Sequence, residues 1–381
     1  QKIPLTGGDL SISSGLNRID LFESNSRYYR SNPFNISYRQ PIFQINTLRW
    51  NLESQDLQYQ MATREHAEAM EDCSIDITNK FFDLSLASMN LENAALNLAN
   101  NDTLYKISKG RFNVGKIGEN DLLQSELAFL NAQTQFENAK VTLQHSQQIM
   151  LSALSLPPAT KIGLREPSRI SLLRVDPREA LLHAQTNRSD ILNFRLLRLS
   201  AERSVAQAKS DNSFSAVMTA NLGFNQRAQG VKDAYQNLLD QRQFSVRFDV
   251  PIYKWGGKSE AVDAALADQQ RTETSVEQQR IALEQDVSYQ GARLNLLRTQ
   301  VEVAAKTDTI AQRRFDVAKD RYLIGKIDIP NLFLAQSEKD NARRARIQTL
   351  WDYWSTYFRL RRLTLYDFEI KKSLVTSSAN D

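Results

Sequence analysis

The stretch of this chain with the most chemical promise is Gly110-Arg111-Phe112-Asn113-Val114-Gly115-Lys116, which fits the G-x-x-x-x-G-K spacing of a phosphate-cradling loop. In such a loop backbone N–H groups wrap the phosphates, the lysine neutralises them, and a following Ser or Thr holds magnesium. Ile117 stands where the hydroxyl should be, and helical rather than strand pattern precedes Gly110. The motif therefore reads as a turn that shares the spacing. The three histidines, His66, His145 and His183, lie far apart in no H-E-x-x-H pattern. The single cysteine, Cys73, can form neither an intramolecular disulfide nor a thiolate cluster, and is expected to be a packing residue. The basic clusters Arg343, Arg344, Arg346 and Arg359, Arg361, Arg362 read first as a solvated helix face, with an acidic partner or ion pairs to neighbouring helices as the alternative. Neither a paired-carboxylate nor a nucleophile-elbow signature stands out, so the expectation is a protein that is not an enzyme, with no catalytic residue, cofactor or metal.

The composition is that of a folded chain. Its 381 residues are 41% hydrophobic and 24% charged, enough to bury a substantial core. The net charge of +4 is a small excess of 48 basic over 44 acidic residues on a mixed surface, which argues against nucleic acid. No run of about 18 uncharged apolar residues exists, so a membrane location would require β-strands. Gln1-Lys2-Ile3-Pro4 lacks the charged region and apolar run of a signal peptide, so a leader is expected either to have been removed already or to lie before residue 1.

The elements that would carry any function come in two copies. Residues near 40 to 132 match residues near 250 to 342 at a constant spacing of 210, with no insertion or deletion. Pro41, Ile42 and Phe43 pair with Pro251, Ile252 and Tyr253. Arg111, Phe112, Gly115, Lys116 and Ile117 pair with Arg321, Tyr322, Gly325, Lys326 and Ile327. Two unrelated helices of similar composition would drift out of register and would not share a glycine.

Each copy opens with period-two strands. Phe34, Ile36, Tyr38, Gln40 and Ile42 alternate with polar residues, as do Phe244, Val246, Phe248, Val250 and Ile252. Before them lie Phe214, Ala216, Met218, Ala220, Leu222 and Phe224, and a weaker run at Leu10, Ile12, Ser14 and Leu16. Two hairpins result, closed by polar loops near 23–33 and 226–242. Strands of about ten residues with one apolar face suit a transmembrane barrel and a soluble sandwich equally. Helix length separates the two. Segments 46–108 and 257–318 hold no proline, and each can be one helix of about 60 residues, on the order of 90 Å long. A 3,4-spaced seam runs through Leu283, Val287, Gln290, Leu294, Leu297 and Val301 to Phe315 and Tyr322, matched by Cys73, Ile77, Lys80, Leu84, Ala87 and Leu91 to Tyr105 and Phe112. Its alanines and polar residues, among them Asn101, Gln290 and Asp308, make a thin, wet seam that suits the wall of a water-filled tube.

After each long helix come a turn, Gly110 to Asn120 or Asp320 to Pro330, and a returning helix, about 121–156 or 331–362. The expected fold is mainly α with β, divided as follows: 1–45 first strand hairpin; 46–156 first helical hairpin; 157–176 irregular linker; 177–212 opening helix of the second copy; 213–255 second strand hairpin; 256–364 second helical hairpin; 365–381 polar tail. Asp176-Pro177-Arg178-Glu179 has the proline and acidic residue of a helix start. The counterpart of that opening helix falls before residue 1, so the chain is expected to be N-terminally incomplete.

The junctions Gln40-Pro41-Ile42-Phe43 and Val250-Pro251-Ile252-Tyr253-Lys254-Trp255-Gly256-Gly257, with the turns at Phe112 to Leu123 and Tyr322 to Asp328, resemble the TolC-like outer-membrane efflux proteins over residues 10–362. The resemblance implies an outer-membrane protein extending into the periplasm, a homotrimer whose protomers each give four strands to a twelve-stranded barrel in the lipid, and helical hairpins that form an α-helical barrel. It implies an exit duct for drugs, small molecules or secreted polypeptides, opened by a periplasmic membrane-fusion adaptor and driven by an inner-membrane pump of the RND or ABC type. Carried over by position, Val114, Gly115, Lys116 and Ile324, Gly325, Lys326 are the adaptor-contact tips. Relatives place aspartates just after the second tip to ring the closed pore, where this chain has Asn331 and Leu334; Asp121 follows the first tip. The rival reading is a coiled-coil structural or adhesin-like protein of the periplasm or surface, which would need no alternating strand faces.

Overall fold

The computed structural model describes residues 1–23, 25–165, 173–249 and 257–375. The chain divides into two compact units, Gln1–Thr63 with Ser189–Ala282 and Arg64–Arg188 with Leu283–Asp381. The first holds the sheet. Strands β1 (Asp9–Leu21), β2 (Ser26–Ile42), β3 (Ser215–Ala228) and β4 (Leu239–Asp249) pair antiparallel in the order β1-β2-β3-β4. The two expected hairpins are thus joined by β2 and β3 into one sheet. Register puts Leu10 and Ile12, Ile36 and Tyr38, Leu222 and Ala220, and Phe244 on one face. That apolar face is open, with Ile12 68% and Phe244 67% exposed. Gly223 serves the close approach of β2 and β3, since a Cβ there would meet the Phe34 carbonyl oxygen at 2.4 Å. Among the described residues the sheet keeps two free edges, β1 and β4.

The strands outrun their apolar alternation, and this corrects the loop at 23–33. β2 already starts at Ser26, and β3 reaches Ala228 before a ten-residue connection with a short 3₁₀ turn at Asp233–Tyr235. Polar cross-strand contacts hold these ends: Arg27 pairs with Asp20 at 2.8 Å, and Arg227 stacks on the Tyr28 ring at 3.7 Å. No apolar period marks such a segment, so pattern reading stops short of it. The junction Val250 to Gly256 lies outside the described residues.

Helices α1 (Thr47–Asn113) and α5 (Gly257–Leu323) are each 67 residues, and both ends differ by the offset of 210. The returning helices α2 (Glu119–Ala153) and α6 (Ile329–Thr364) start at the same offset. The turns are therefore shorter than the sequence suggests, because the long helices continue through Gly110 and Asp320. The seam is buried as expected at Leu283, Val287, Leu294, Leu297, Val301, Phe315 and Tyr322, and at Leu84, Ala87, Ala94 and Asn101. Cys73 departs from it and is exposed. Glu71 takes the buried position beside Arg361, at 2.8 Å, and two residues later the helix has turned about 200° away. The basic residues of α6 follow the alternative reading: Arg343 pairs with Glu92 at 2.8 Å, Arg346 with Asp308 at 3.1 Å, and Arg362 with Asp72.

The opening helix of the second copy is broken at Arg188, whose backbone is extended, into α3 (Pro177–Asn187) and α4 (Ser189–Asp211). Arg64 satisfies the released carbonyls of Thr186 and Arg188 at 3.0 and 3.1 Å. The tail is not simply polar. Tyr366–Asp367 and Lys372–Ser373 form strands β5 and β6, Leu365 and Phe368 are buried, and His183 stacks on Tyr366 at 3.7 Å. Linker residues 166–172 and tail residues 376–381 lie outside the described residues.

Candidate functional site

Both tip turns lie in the second unit and are built alike. At the end of α1 the Gly115 N–H donates to the Phe112 carbonyl at 2.9 Å and the Lys116 N–H to the Arg111 carbonyl at 2.8 Å. At the end of α5 Gly325 donates to Tyr322 at 2.9 Å and Lys326 to Arg321 at 2.8 Å. This is the six-to-one and five-to-two bonding of a Schellman ending, which needs a left-handed residue. The glycines supply it with φ of +69° and +73°. Nothing lies within 4 Å of a Cβ placed at either, so only the backbone conformation demands glycine.

The residues that flank each glycine are presented outward. Val114 and Ile324 are 68% and 67% exposed, and Lys116 and Lys326 are exposed beside them. Ile117 and Ile327 turn back and are half-buried. Each tip is an apolar side chain and a cation displayed on a fixed turn, which is a surface for contact rather than for bond chemistry. Among the described residues no group of His, Cys, Asp and Glu is arranged to hold a metal ion.

The two turns are brought together by Arg111 and Tyr322, which the sequence marked as repeat positions but not as site residues, and by Ser108. The Arg111 guanidinium donates to the carbonyls of Tyr322 and Leu323 at 3.4 and 3.2 Å, and lies 5.2 Å from the Tyr322 ring centroid. A cation thus caps the partial negative charge at the end of α5. Ser108 Oγ meets Tyr322 Oη at 3.2 Å in a buried contact. Beneath the second tip lie Leu104, Phe315, Ile329, Leu332 and Ala335. The first tip is barer, with Phe112 38% exposed where its counterpart Tyr322 is 5% exposed. The available signal was the one hydroxyl by which Tyr322 differs from Phe112.

The remaining candidates sit higher on the returning helices. Asp121 is half-buried in the first turn of α2, whose acidic Glu119 and Asp121 favour the positive helix end. Asn331 is exposed in the first turn of α6, and Leu334, a turn later, is 51% exposed. No acidic residue occupies the first turn of α6.

No helix among the described residues is long and apolar enough to cross a membrane. Similar architecture is found in the CmeC outer membrane channel of Campylobacter jejuni, at 16% identity and a TM-score of 0.72 over 95% of this chain and 78% of that one. The outer membrane protein VceC of Vibrio cholerae matches at 13% identity and 0.73, over 94% and 87%. The open-state MtrE outer membrane channel of Neisseria gonorrhoeae matches at 15% and 0.70, over 93% and 80%. At such identities the likeness is one of fold. No curated protein matches the sequence. The family model for outer membrane efflux proteins matches residues 7–155 and 181–364, most of both repeats, and the chain belongs to that outer-membrane family.

Proposed function

We propose that this protein is the passive exit duct of a tripartite export system: three copies close a twelve-stranded barrel through the outer membrane, and their helical hairpins wall a periplasmic tunnel. The sheet supports this with an apolar outer face and two free edges, because an open edge is a row of unpaired backbone groups that lipid cannot satisfy. Closure requires β4 of one copy to pair with β1 of the next. The expected division into strand hairpins, helical hairpins, linker and opening helix belongs to the same reading.

The observation that carries the docking role is the pair of matched tips. Val114-Gly115-Lys116 and Ile324-Gly325-Lys326 present an apolar residue, a glycine and a lysine on the same turn at both repeats, so three copies would offer a periplasmic adaptor six similar contacts in two sets of three. The adaptor would open the passage and an inner-membrane pump of the RND or ABC type would supply the energy. Asp121, Asn331 and Leu334 are the proposed lining of the resting constriction. Asn331 and Leu334 carry no charge, so α6 adds no carboxylate ring there.

A photo-crosslinker placed at Lys116 or Lys326 in cells, followed by mass spectrometry, tests the docking role. Capture of a periplasmic adaptor supports it, and the class of pump recovered with the adaptor names the cargo. Self-crosslinks alone, from protein abundant in the outer membrane, would remove the docking role from these turns.

A further inference from the structure

The polar face of the sheet, opposite its apolar side, carries two arginines set against each other. Register places Arg30 of β2 directly opposite Arg227 of β3, on the side shared by Asn35, Ser37 and Asn221. Both are exposed. Among the described residues neither forms an ion pair. The other face contrasts with this, for there Arg18 and Arg27 share Asp20 at 2.9 and 2.8 Å. Further along the polar face, Arg39 stands opposite a carboxylate, Asp9.

A bulge brings Arg30 to this side. Phe34, Ile36 and Tyr38 of β2 face the apolar side, so an unbroken strand would send Arg30 there as well. Between Ser31 and Phe34, however, Asn32 and Pro33 stand against the single Asn225 of β3, and the register with β1 shifts at the same place. The extra residue turns Arg30 over to the polar face. There its guanidinium lies at cross-strand distance from that of Arg227, and like charges directly opposite destabilise a strand pair. The neighbouring positions on that face are Asn17, Tyr28 and Asn225, none of them a carboxylate that could relieve the repulsion. Tyr28 offers its ring, 3.7 Å from the Arg227 guanidinium carbon, which leaves the N–H edge free. Two cations brought together and kept from acids make a site for an anion, since the planar N–H fork of arginine matches the oxygens of carboxylate, phosphate or sulfonate.

We propose that Arg30 and Arg227 form an anion-binding site that biases the passage toward cargo bearing carboxylate, phosphate or sulfonate groups, an inference that rests on the reading of the sheet as a barrel wall with its apolar side to lipid. The polar side then lines the passage. Both arginines lie at the end of the sheet that carries the strand connections, so three copies set six guanidiniums in one ring at that mouth. Such a ring raises the local concentration of anions and lowers that of cations within about 10 Å at 0.1 M salt. The wall beyond it, with Ser11, Ser13, Asn35, Ser37 and Asn221 on the same face, is neutral. The selectivity of this mouth thus depends on one inserted residue in β2.

The test places the purified full chain in planar bilayers in dilute salt, where charges are least screened, and adds sodium hexametaphosphate to each side in turn. The current of the wild type should be blocked from the side of the strand connections. Arg30→Gln with Arg227→Gln should raise the half-blocking concentration about tenfold or more while helical circular dichroism is kept. Arg242→Gln removes the same charge from the apolar face, where Arg242 stands opposite Leu222, and should shift the block by less than about twofold. Equal block in the double variant, or an equal loss in Arg242→Gln, overturns the proposal. A wild type that conducts and is not blocked also overturns it and leaves the duct reading standing. A wild type that conducts nothing removes the barrel reading and the anion site with it. As a second measure, the anion-over-cation permeability ratio should fall in the double variant; a ratio that stays or rises overturns the cargo bias.

Discussion

Glycine is required at the tips by backbone conformation and not by crowding, which fixes the expected size of a substitution. Gly325→Ala places a Cβ at φ of +73° in open space, so it should cost about 1 kcal/mol by urea unfolding and clash with nothing. The same conformation occurs at Ser155, with φ of +54°, where the Leu156 N–H reaches the Leu151 carbonyl at 2.9 Å to end α2. Ser155→Gly should therefore stabilise the chain by about 0.5–1 kcal/mol. Asp367 shows charge at the same scale. Burial works against its carboxylate, but N–H groups of Ile370 and Glu369, the Tyr357 hydroxyl at 2.9 Å and Arg361 at 3.0 Å outweigh burial and hold its pKa below the ordinary range. A carboxyl so lowered stabilises the fold at pH above its unfolded value, and the contribution is lost as pH falls through its native one. Asp367→Asn should cost about 1–3 kcal/mol at pH 7. Its difference from wild type should shrink in melts run below about pH 4.

At the scale of elements, helices were legible where one residue type sets the rule over a long distance. The absence of proline and a sustained 3,4 spacing gave α1 and α5, and the offset of 210 holds at both their ends. What escaped were features decided by a single distant partner. The break at Arg188 depends on Arg64, the exposure of Cys73 on the Glu71–Arg361 pair, and the length of β2 on Asp20. The tips show both cases: their glycines and lysines could be read from the repeat, but the arginine that joins them could not, because Arg111 and Arg321 look alike in sequence and only Arg111 has the α5 carbonyls before it. Arg111→Ala should leave those carbonyls to water, at a cost of about 0.5–1.5 kcal/mol. Hydrogen exchange at residues 324–328 should quicken several-fold, and Arg111→Lys should restore less than half of the protection because it lacks the fork.

For the whole molecule, the open apolar sheet face and the exposed tips are the surfaces that the proposed function would give to lipid and to an adaptor. The uncharged pair Asn331 and Leu334 gives this reading an electrical prediction. Leu334→Asp would add one carboxylate per copy at the proposed constriction, and the cation-over-anion permeability ratio in planar bilayers should rise several-fold; an unchanged ratio would place the constriction elsewhere. The matched 67-residue helices carry a consequence for how such a gene can change. One codon inserted in the second-unit part of α1 would turn everything beyond it by about 100° and advance it by about 1.5 Å. The Arg111 side chain would then miss the carbonyls of Tyr322 and Leu323, and the seam would face the wrong way. Length variation in descendants of this gene is thus expected at the strand connections near Phe22 and Gly230 and nearly barred from the helices, whose only tolerated change is a simultaneous gain or loss of whole heptads in α1, α2, α5 and α6.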